Sequence, residues 1–426
     1  MKFFSRSIAI LLFVSIDSAP TEAKILAGPY LQNPMSTSMT IRWISDEGGT
    51  SAVQYGADLK LTAPGSNGTF YKKLGSYLHE ATISGLQPNT RYLYRVNSNG
   101  TLSAQYSFKT APPLGSSISF LAISDAQMKP DLPMTVAAIG RLIQPDLIIF
   151  SGDLVDEPDR VVDWYGGERS FFDVFTGRQP GAALLQNIPL FPSLGNHEYG
   201  EKPRTASSLD ETESLQTYTT LFNLPGNERY YSHDYGNVHF IHLNIARQWT
   251  SDAAAKPQWI LGDPITPASA QFQWLAKDFA QKRQLWTVVS FHQPMLGQGH
   301  NTSPNFCNPV KKAGNAYEYP RDVLYNDLRP LFEKHGVNLV VWGHSHVYEH
   351  YYVNGIHYLE ASSVGNTYGF PTKEPHGLTP VCQNSEDRSF AFVQTGGTKM
   401  TVTTYRAPDG KILESFAIQK TPSKAR

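Results

Sequence analysis

Five short segments, each closing a run of apolar residues, carry side chains of the kinds that hold cations and split phosphoesters. They are Asp125-Ala126-Gln127, Gly152-Asp153, Gly195-Asn196-His197-Glu198, His292 and Gly343-His344-Ser345-His346. Carboxylate and amide oxygens, joined by neutral imidazoles from several loops at one sheet edge, can hold two cations close enough to share a carboxylate. Such a pair polarises a phosphoryl group and makes hydroxide available near neutral pH, so the chemistry indicated is hydrolysis of a phosphate ester. One Asp after a strand is more often a turn or capping residue, and one Gly-His-x-His is an ordinary loop. The weight lies in their joint occurrence at successive strand ends, because ligands of open α/β sheets sit outside the carboxyl ends of the strands.

The elements that must position these loops are legible from periodicity. Apolar runs at Ile118–Ile123, Leu147–Phe150, Trp286–Phe291 and Val337–Trp342 predict strands. Stretches at Pro133–Ile143, Ser269–Gln281 and Asp322–His335 predict helices between them, and this alternation argues for a layered α/β domain over residues 114–426. In the second helix Phe272, Leu275, Ala276 and Phe279 recur at helical spacing, which marks them as core. Lys399–Tyr405 and Lys411–Ile418 flank Pro408-Asp409-Gly410, a hairpin signal. Ahead of this domain, residues 24–113 alternate apolar and polar in short runs such as Met39-Thr40-Ile41-Arg42-Trp43, which predicts an all-β sandwich with Trp43 in its core. Thr110-Ala111-Pro112-Pro113 closes it, since proline cannot continue a ladder.

The remaining features bound the class. Lys+Arg 36 against Asp+Glu 37 leaves no electrostatic footprint for a nucleic-acid backbone or an anionic membrane. Lys2 and Arg6, the apolar stretch Ile8–Ile16 and the small-residue region ending at Ala23 read as an export signal over residues 1–23. The stretch is shorter than the ~20 residues that span a bilayer, so the mature chain is expected to carry no membrane span and to reside in a secreted or periplasmic space. An oxidising space permits Cys307 and Cys382 to pair, and spacing alone leaves pairing and two free thiols equally open. Asn67, Asn99 and Asn301 open Asn-x-Ser/Thr acceptor sites.

Two resemblances sharpen this reading. The stretch His79–Val96, with Leu86, Pro88, Thr90, Tyr92 and Tyr94 at alternate positions, resembles fibronectin type III domains. The five motifs in this order resemble the calcineurin-like metallophosphoesterase superfamily and, with the sandwich in front, are similar to purple acid phosphatases. The stretches Gly236–Asn244, Gln273–Leu275 and Pro330–Glu333 resemble that family too. The resemblance implies a layered αββα catalytic domain holding two metal ions, drawn from Fe, Mn, Zn, Mg or Ca. It implies Asp125 and His346 at a first metal, Asn196, His292 and His344 at a second, and Asp153 bridging them. His197, not itself a ligand, would stabilise developing charge or protonate the leaving alkoxide.

Two positions depart from the family pattern. Gln127 stands where superfamily members commonly have His, and Asp156 stands where purple enzymes have the tyrosine that gives their colour. Gln127 and Asp156 are therefore candidate ligands of the first metal, and no purple chromophore is expected. His239 and His242 sit three apart on a strand and face opposite sides, which suits packing rather than ligation. Tyr199, His300, Asn301, Tyr348 and His350 lie near motif loops, and Arg247 is a candidate phosphate clamp. The expected function is phosphomonoester hydrolysis of a small-molecule ester by metal-activated hydroxide. Phosphodiesterase or nucleotidase action at the same site is the first alternative. A non-catalytic adhesion or binding role of the sandwich is the second.

Overall fold

The computed structural model describes residues 23–421 apart from 201–210, 246–262, 264, 282–283, 298–309, 312–316, 319–323, 362, 370–373 and 375. His300, Asn301, Cys307, Arg247 and the proposed export signal at 1–22 lie outside the described residues. Cys382 carries a free thiol. Among the described residues no helix is long and apolar enough to cross a membrane.

Residues 25–109 form two antiparallel sheets. One pairs Ile25–Gln32, Ser38–Ser45, Ser76–Ser84 and Thr69–Tyr71, and the other is centred on Ser51–Tyr55 and Arg91–Ser98. Alternate residues of each strand face inward, so Met39, Ile41, Trp43, Val53, Tyr94, Val96 and Phe108 share one core, as period-two patterning demands. The Tyr92 hydroxyl accepts the Gln87 N–H at 2.9 Å and pins the turn that the Leu86–Tyr94 pattern encodes.

The second domain packs two sheets face to face. A six-stranded sheet runs in the order Leu190–Pro192, Leu147–Phe150, Ser119–Ile123, Ser389–Gly396, Lys399–Arg406 and Ile412–Gln419. A seven-stranded sheet places Val238–His242, Trp286–Ser290, Leu339–Trp342 and Ile356–Ala361 in parallel at its centre. The strands Ser119–Ile123, Leu147–Phe150 and Leu339–Trp342 are buried on both faces, which is why they read as near-continuous apolar runs. Helices Leu132–Leu142 and Ala270–Phe279 match the predicted segments within three residues at each end. The third differs: a π turn at Leu324–Leu328 precedes an α-helix at Arg329–His335. Pro330 has no N–H to donate backwards, so an α-helix restarts there rather than running through.

The sandwich is hydrogen-bonded to the α/β domain at several points. The Tyr30 hydroxyl donates to Leu221 O at 2.6 Å, the Tyr94 hydroxyl to Gln186 O at 2.7 Å and the Leu31 N–H to Leu185 O at 3.0 Å. Gln32 Nε2 donates to Leu190 O at 3.2 Å, so the strand Ile25–Gln32 covers the open edge of the six-stranded sheet. Leu190–Pro192 is the strand that leads into Asn196.

Several histidines serve the interior. His239 lies between Asp234 (Nδ1 to Oδ1, 2.6 Å) and Asp278 (Nε2 to Oδ2, 2.7 Å); burial opposes its charge, and the two carboxylates outweigh that and raise its pKa. His233 and His242 stack with Phe191, Tyr231 and Phe240, and burial holds His233 well below its ordinary value and His242 down at about 3. A histidine kept neutral in the fold takes up a proton on unfolding, so its contribution to stability is lost as pH falls from about 6.5 toward the folded value. Replacing His242 with Phe should therefore shrink the loss of unfolding free energy between pH 6.5 and 4.5 by about 2 kcal/mol. Urea denaturation at the two pH values measures this, and an unchanged difference would refute the assignment.

Candidate metal centre

All five motifs follow directly on strand ends where the two sheets meet. Asp125, Asp153 and Asn196 come from the six-stranded sheet, and His292, His344 and His346 from the seven-stranded one. The first two loops extend the parallel pairing past their strands: Asp125 N–H donates to Gly152 O (3.1 Å) and Ala126 N–H to Asp153 O (2.9 Å). Beneath the site Ser151, Ser193 and Ser290 share hydrogen bonds of 3.0 and 3.2 Å that tie the two sheets together. Asp125, Asp153, His344 and His346 have left-handed φ of 55°, 59°, 78° and 57°. Such angles cost energy for residues with a Cβ and cluster where a site over-determines the backbone. Glycine is required beside them, since a Cβ on Gly195 would strike Asp153 and one on Gly343 would strike Asp125 and Ser124.

The proposed second site is a cage of acceptors. His292 Nδ1 lies 2.7 Å from Ser151 O, which can only accept, so Nδ1 carries the proton. Nε2 then faces Asn196 Oδ1 at 3.0 Å, Asp153 Oδ2 at 3.1 Å and His344 Nδ1 at 3.1 Å. Ligand atoms of Asp153, His292 and His344 all lie within 4.8 Å of one another. Lone pairs crowded in a buried space repel unless a cation or a proton lies among them. Burial alone would lower the His292 pKa, but the Asp153 carboxylate outweighs it and pushes the value up to about 9. Asp153 is itself held below the usual carboxylate range, burial being outweighed by His292 and His197.

The proposed first site is built from Asp125, Gln127 and His346. His346 Nε2 lies 3.3 Å from Asp125 Oδ1, and Asp125 Oδ2 accepts the His344 N–H at 3.0 Å. Gln127 Nε2 donates to Asp153 Oδ2 at 2.9 Å, which leaves its buried Oε1 without a hydrogen-bond partner, as is Asp125 Oδ1. Orphaned buried oxygens beside this cluster of carboxylates and imidazoles fit a cation as the missing partner. Asp156 is turned differently: its carboxylate pairs with Lys129 at 3.2 Å, while its carbonyl accepts from His197 Nδ1 at 2.8 Å. The His197 N–H donates to Asp153 Oδ1 at 2.9 Å, and its Nε2 stands 3.8 Å from Asp153 Oδ2.

Other sequence candidates fall elsewhere. Tyr199 is buried against Asn244 (3.1 Å), and Tyr348 and His350 bond Glu414 at 2.7 and 2.9 Å. Glu198, quoted in its motif without a role, proves central. Fully buried, its carboxylate accepts the N–H groups of Asp153 (2.9 Å), Leu154 (2.7 Å) and Gly195 (2.6 Å). Burial and the neighbouring Asp153 charge raise its pKa to about 7. The only sequence signal for it is an acid two residues after Asn196.

Comparison with known proteins agrees with this geometry. Residues 29–110 match the family described as purple acid phosphatase, N-terminal domain, and residues 118–348 match the calcineurin-like phosphoesterases. Acid phosphatase type 7 of Mus musculus is 25% identical over 370 residues, spanning 82% of this chain and 75% of its own. A purple acid phosphatase from yellow lupin (Lupinus luteus) seeds superposes with a TM-score of 0.69 at 19% identity, over 92% of this chain and 74% of its own. PhoD superposes with a TM-score of 0.63 at 15% identity, over 94% and 90%. At these identities the two structures speak for the fold.

Glu198→Ala would leave three buried N–H groups unsatisfied, each costing about 1–3 kcal/mol. Chemical denaturation should show a loss of about 3 kcal/mol or more, and a loss under 1 kcal/mol would remove Glu198 from this supporting role.

Proposed function

Because this chain belongs to the calcineurin-like phosphoesterase family and carries the N-terminal domain of the purple acid phosphatases, we propose that it is an exported phosphatase that hydrolyses small-molecule phosphate monoesters at a two-metal centre. The observation that carries the reading is the buried acceptor cage of Asp153, Asn196, His292 and His344 beside Asp125, Gln127 and His346. In this reading Asp153 would serve both ions, Asn196 would add a ligand without adding charge, and Gln127 would add its Oε1, which has no hydrogen-bond partner. Ions bound there would polarise the phosphoryl oxygens and supply hydroxide near neutral pH. Asp156, engaged with Lys129, serves through its carbonyl.

His197 is proposed as the general acid. Its Nδ1–H is committed to Asp156 O, so Nε2 is the atom that carries a proton toward a leaving oxygen. Asp153 has no proton to give, since its environment favours the ionised form. The N-terminal basic and apolar stretch supports export, and N-terminal sequencing of protein recovered outside the cytoplasm should begin near Lys24.

Activity tests separate the parts of this reading. Asp153→Asn should abolish hydrolysis of every ester and deplete bound metal in elemental analysis. His197→Asn should slow an alkyl phosphate about 10²–10³-fold but a nitrophenyl phosphate far less, because only the alkoxide needs a proton as it leaves. Equal losses on both esters would remove His197 from the acid role. Faster turnover of bis(nitrophenyl) phosphate than of nitrophenyl phosphate would replace monoesterase by diesterase.

A further inference from the structure

One loop, Ser363–Tyr368, grips both chain segments proposed to hold the first metal. Ser363 Oγ donates to Asp125 O at 2.7 Å and accepts the N–H groups of Gly365 and Asn366 at 3.0 Å each. Gly365 N–H also donates to Asp125 O at 3.1 Å, and a Cβ there would collide with the carbonyls of Ala126 and Asp125. With the loop fixed on Asp125, Asn366 is aimed at His346: Oδ1 lies 2.7 Å from its Nδ1. The Tyr368 N–H donates to His346 O at 3.1 Å, and its ring lies over the imidazole at 4.6 Å.

A neutral imidazole has one N–H and one lone pair, and the partner of one nitrogen decides the state of the other. Two acceptors compete for the ring proton: Asn366 Oδ1 at 2.7 Å from Nδ1 is the shorter contact and favours the Nδ1–H tautomer over the Nε2–H one that Asp125 Oδ1, 3.3 Å from Nε2, would favour. With the Asn366 amide in this orientation, the opposite tautomer would set the Nδ1 lone pair against its oxygen. At His292 the same selection is made by Ser151 O, a backbone carbonyl that substitution of a side chain leaves in place.

We propose that Asn366 is a positioning residue that locks His346 in its Nδ1–H tautomer and thereby sets the affinity of the first metal site alone. The inference rests on the two-metal reading above and adds a residue to it. Outer partners of metal-bound histidines typically change metal affinity 10–100-fold when removed.

The test uses the full-length mature protein with Asn366→Leu, which keeps the shape and loses the acceptor, and Asn366→Asp, which keeps an acceptor oxygen. In metal-free protein labelled with 15N-histidine, and with the His346→Gln spectrum for assignment, the wild type and Asn366→Asp should show His346 protonated at Nδ1. Asn366→Leu should shift toward Nε2–H. In Mn(II) titrations Asn366→Leu should weaken one of two binding steps about 10–100-fold and leave the other unchanged, with Asn366→Asp restoring both. An unchanged tautomer in Asn366→Leu, equal weakening of both steps, or failure of Asn366→Asp to rescue would overturn the proposal. Wild-type protein that takes up no Mn(II) would instead overturn the two-metal reading. The tautomer measurement would then decide by itself whether Asn366 selects the state of His346.

Discussion

Electron pairs pointed at one another across the seam of two sheets are the constraint around which this protein is organised. His292 Nε2 faces an amide oxygen, a carboxylate oxygen and a second imidazole nitrogen within 3.1 Å. A chain free to relax would turn these groups apart. They stay because His292 and Asp153 are anchored from behind, by the Ser151 carbonyl at His292 Nδ1 and the His197 backbone N–H at Asp153 Oδ1. Carboxylate, amide and imidazole groups brought together in this way are the kinds of group that suit a positive occupant.

Holding the arrangement costs backbone energy as well. Four of the six side chains assigned by resemblance sit on left-handed φ, and the loops between them admit no Cβ at Gly195 or Gly343. The offset comes from layers below. Glu198 collects three N–H groups from the loops of Asp153 and Asn196, and the serine triplet bonds the two sheets directly under the ligands. A carboxylate buried to collect N–H groups is stabilised as an anion by those bonds even while burial opposes its charge. It acts as a fixed acceptor in the floor of the site.

Strands, helices and the order of motifs were legible because each is a local pattern: apolar runs that must be buried, helical spacing, and polar loops at strand ends. The Leu147–Phe150 strand and the site loops after it stand where periodicity puts them. What escaped is non-local. Asn366 is 20 residues from His346, and nothing about an asparagine in a loop announces an imidazole partner. The Asp156 carboxylate pairs with Lys129, 27 residues away in the chain, a contact that spacing does not show. Glu198 lay inside a recognised motif, yet its role depends on N–H groups of Asp153 and Leu154 that only the fold delivers.

The way strand Ile25–Gln32 lies along Leu190–Pro192 changes what the word domain means for this chain. The N-terminal family match ends at residue 110, but the principal apolar core draws Ala27, Tyr30, Ile44, Leu74 and Leu78 from the sandwich together with the strands of the α/β domain. Cutting between the two would uncover that apolar surface and strip a hydrogen-bonded neighbour from the edge strand leading to Asn196. The two parts are therefore not autonomous in packing: they share one apolar core, and melting should be cooperative across the boundary.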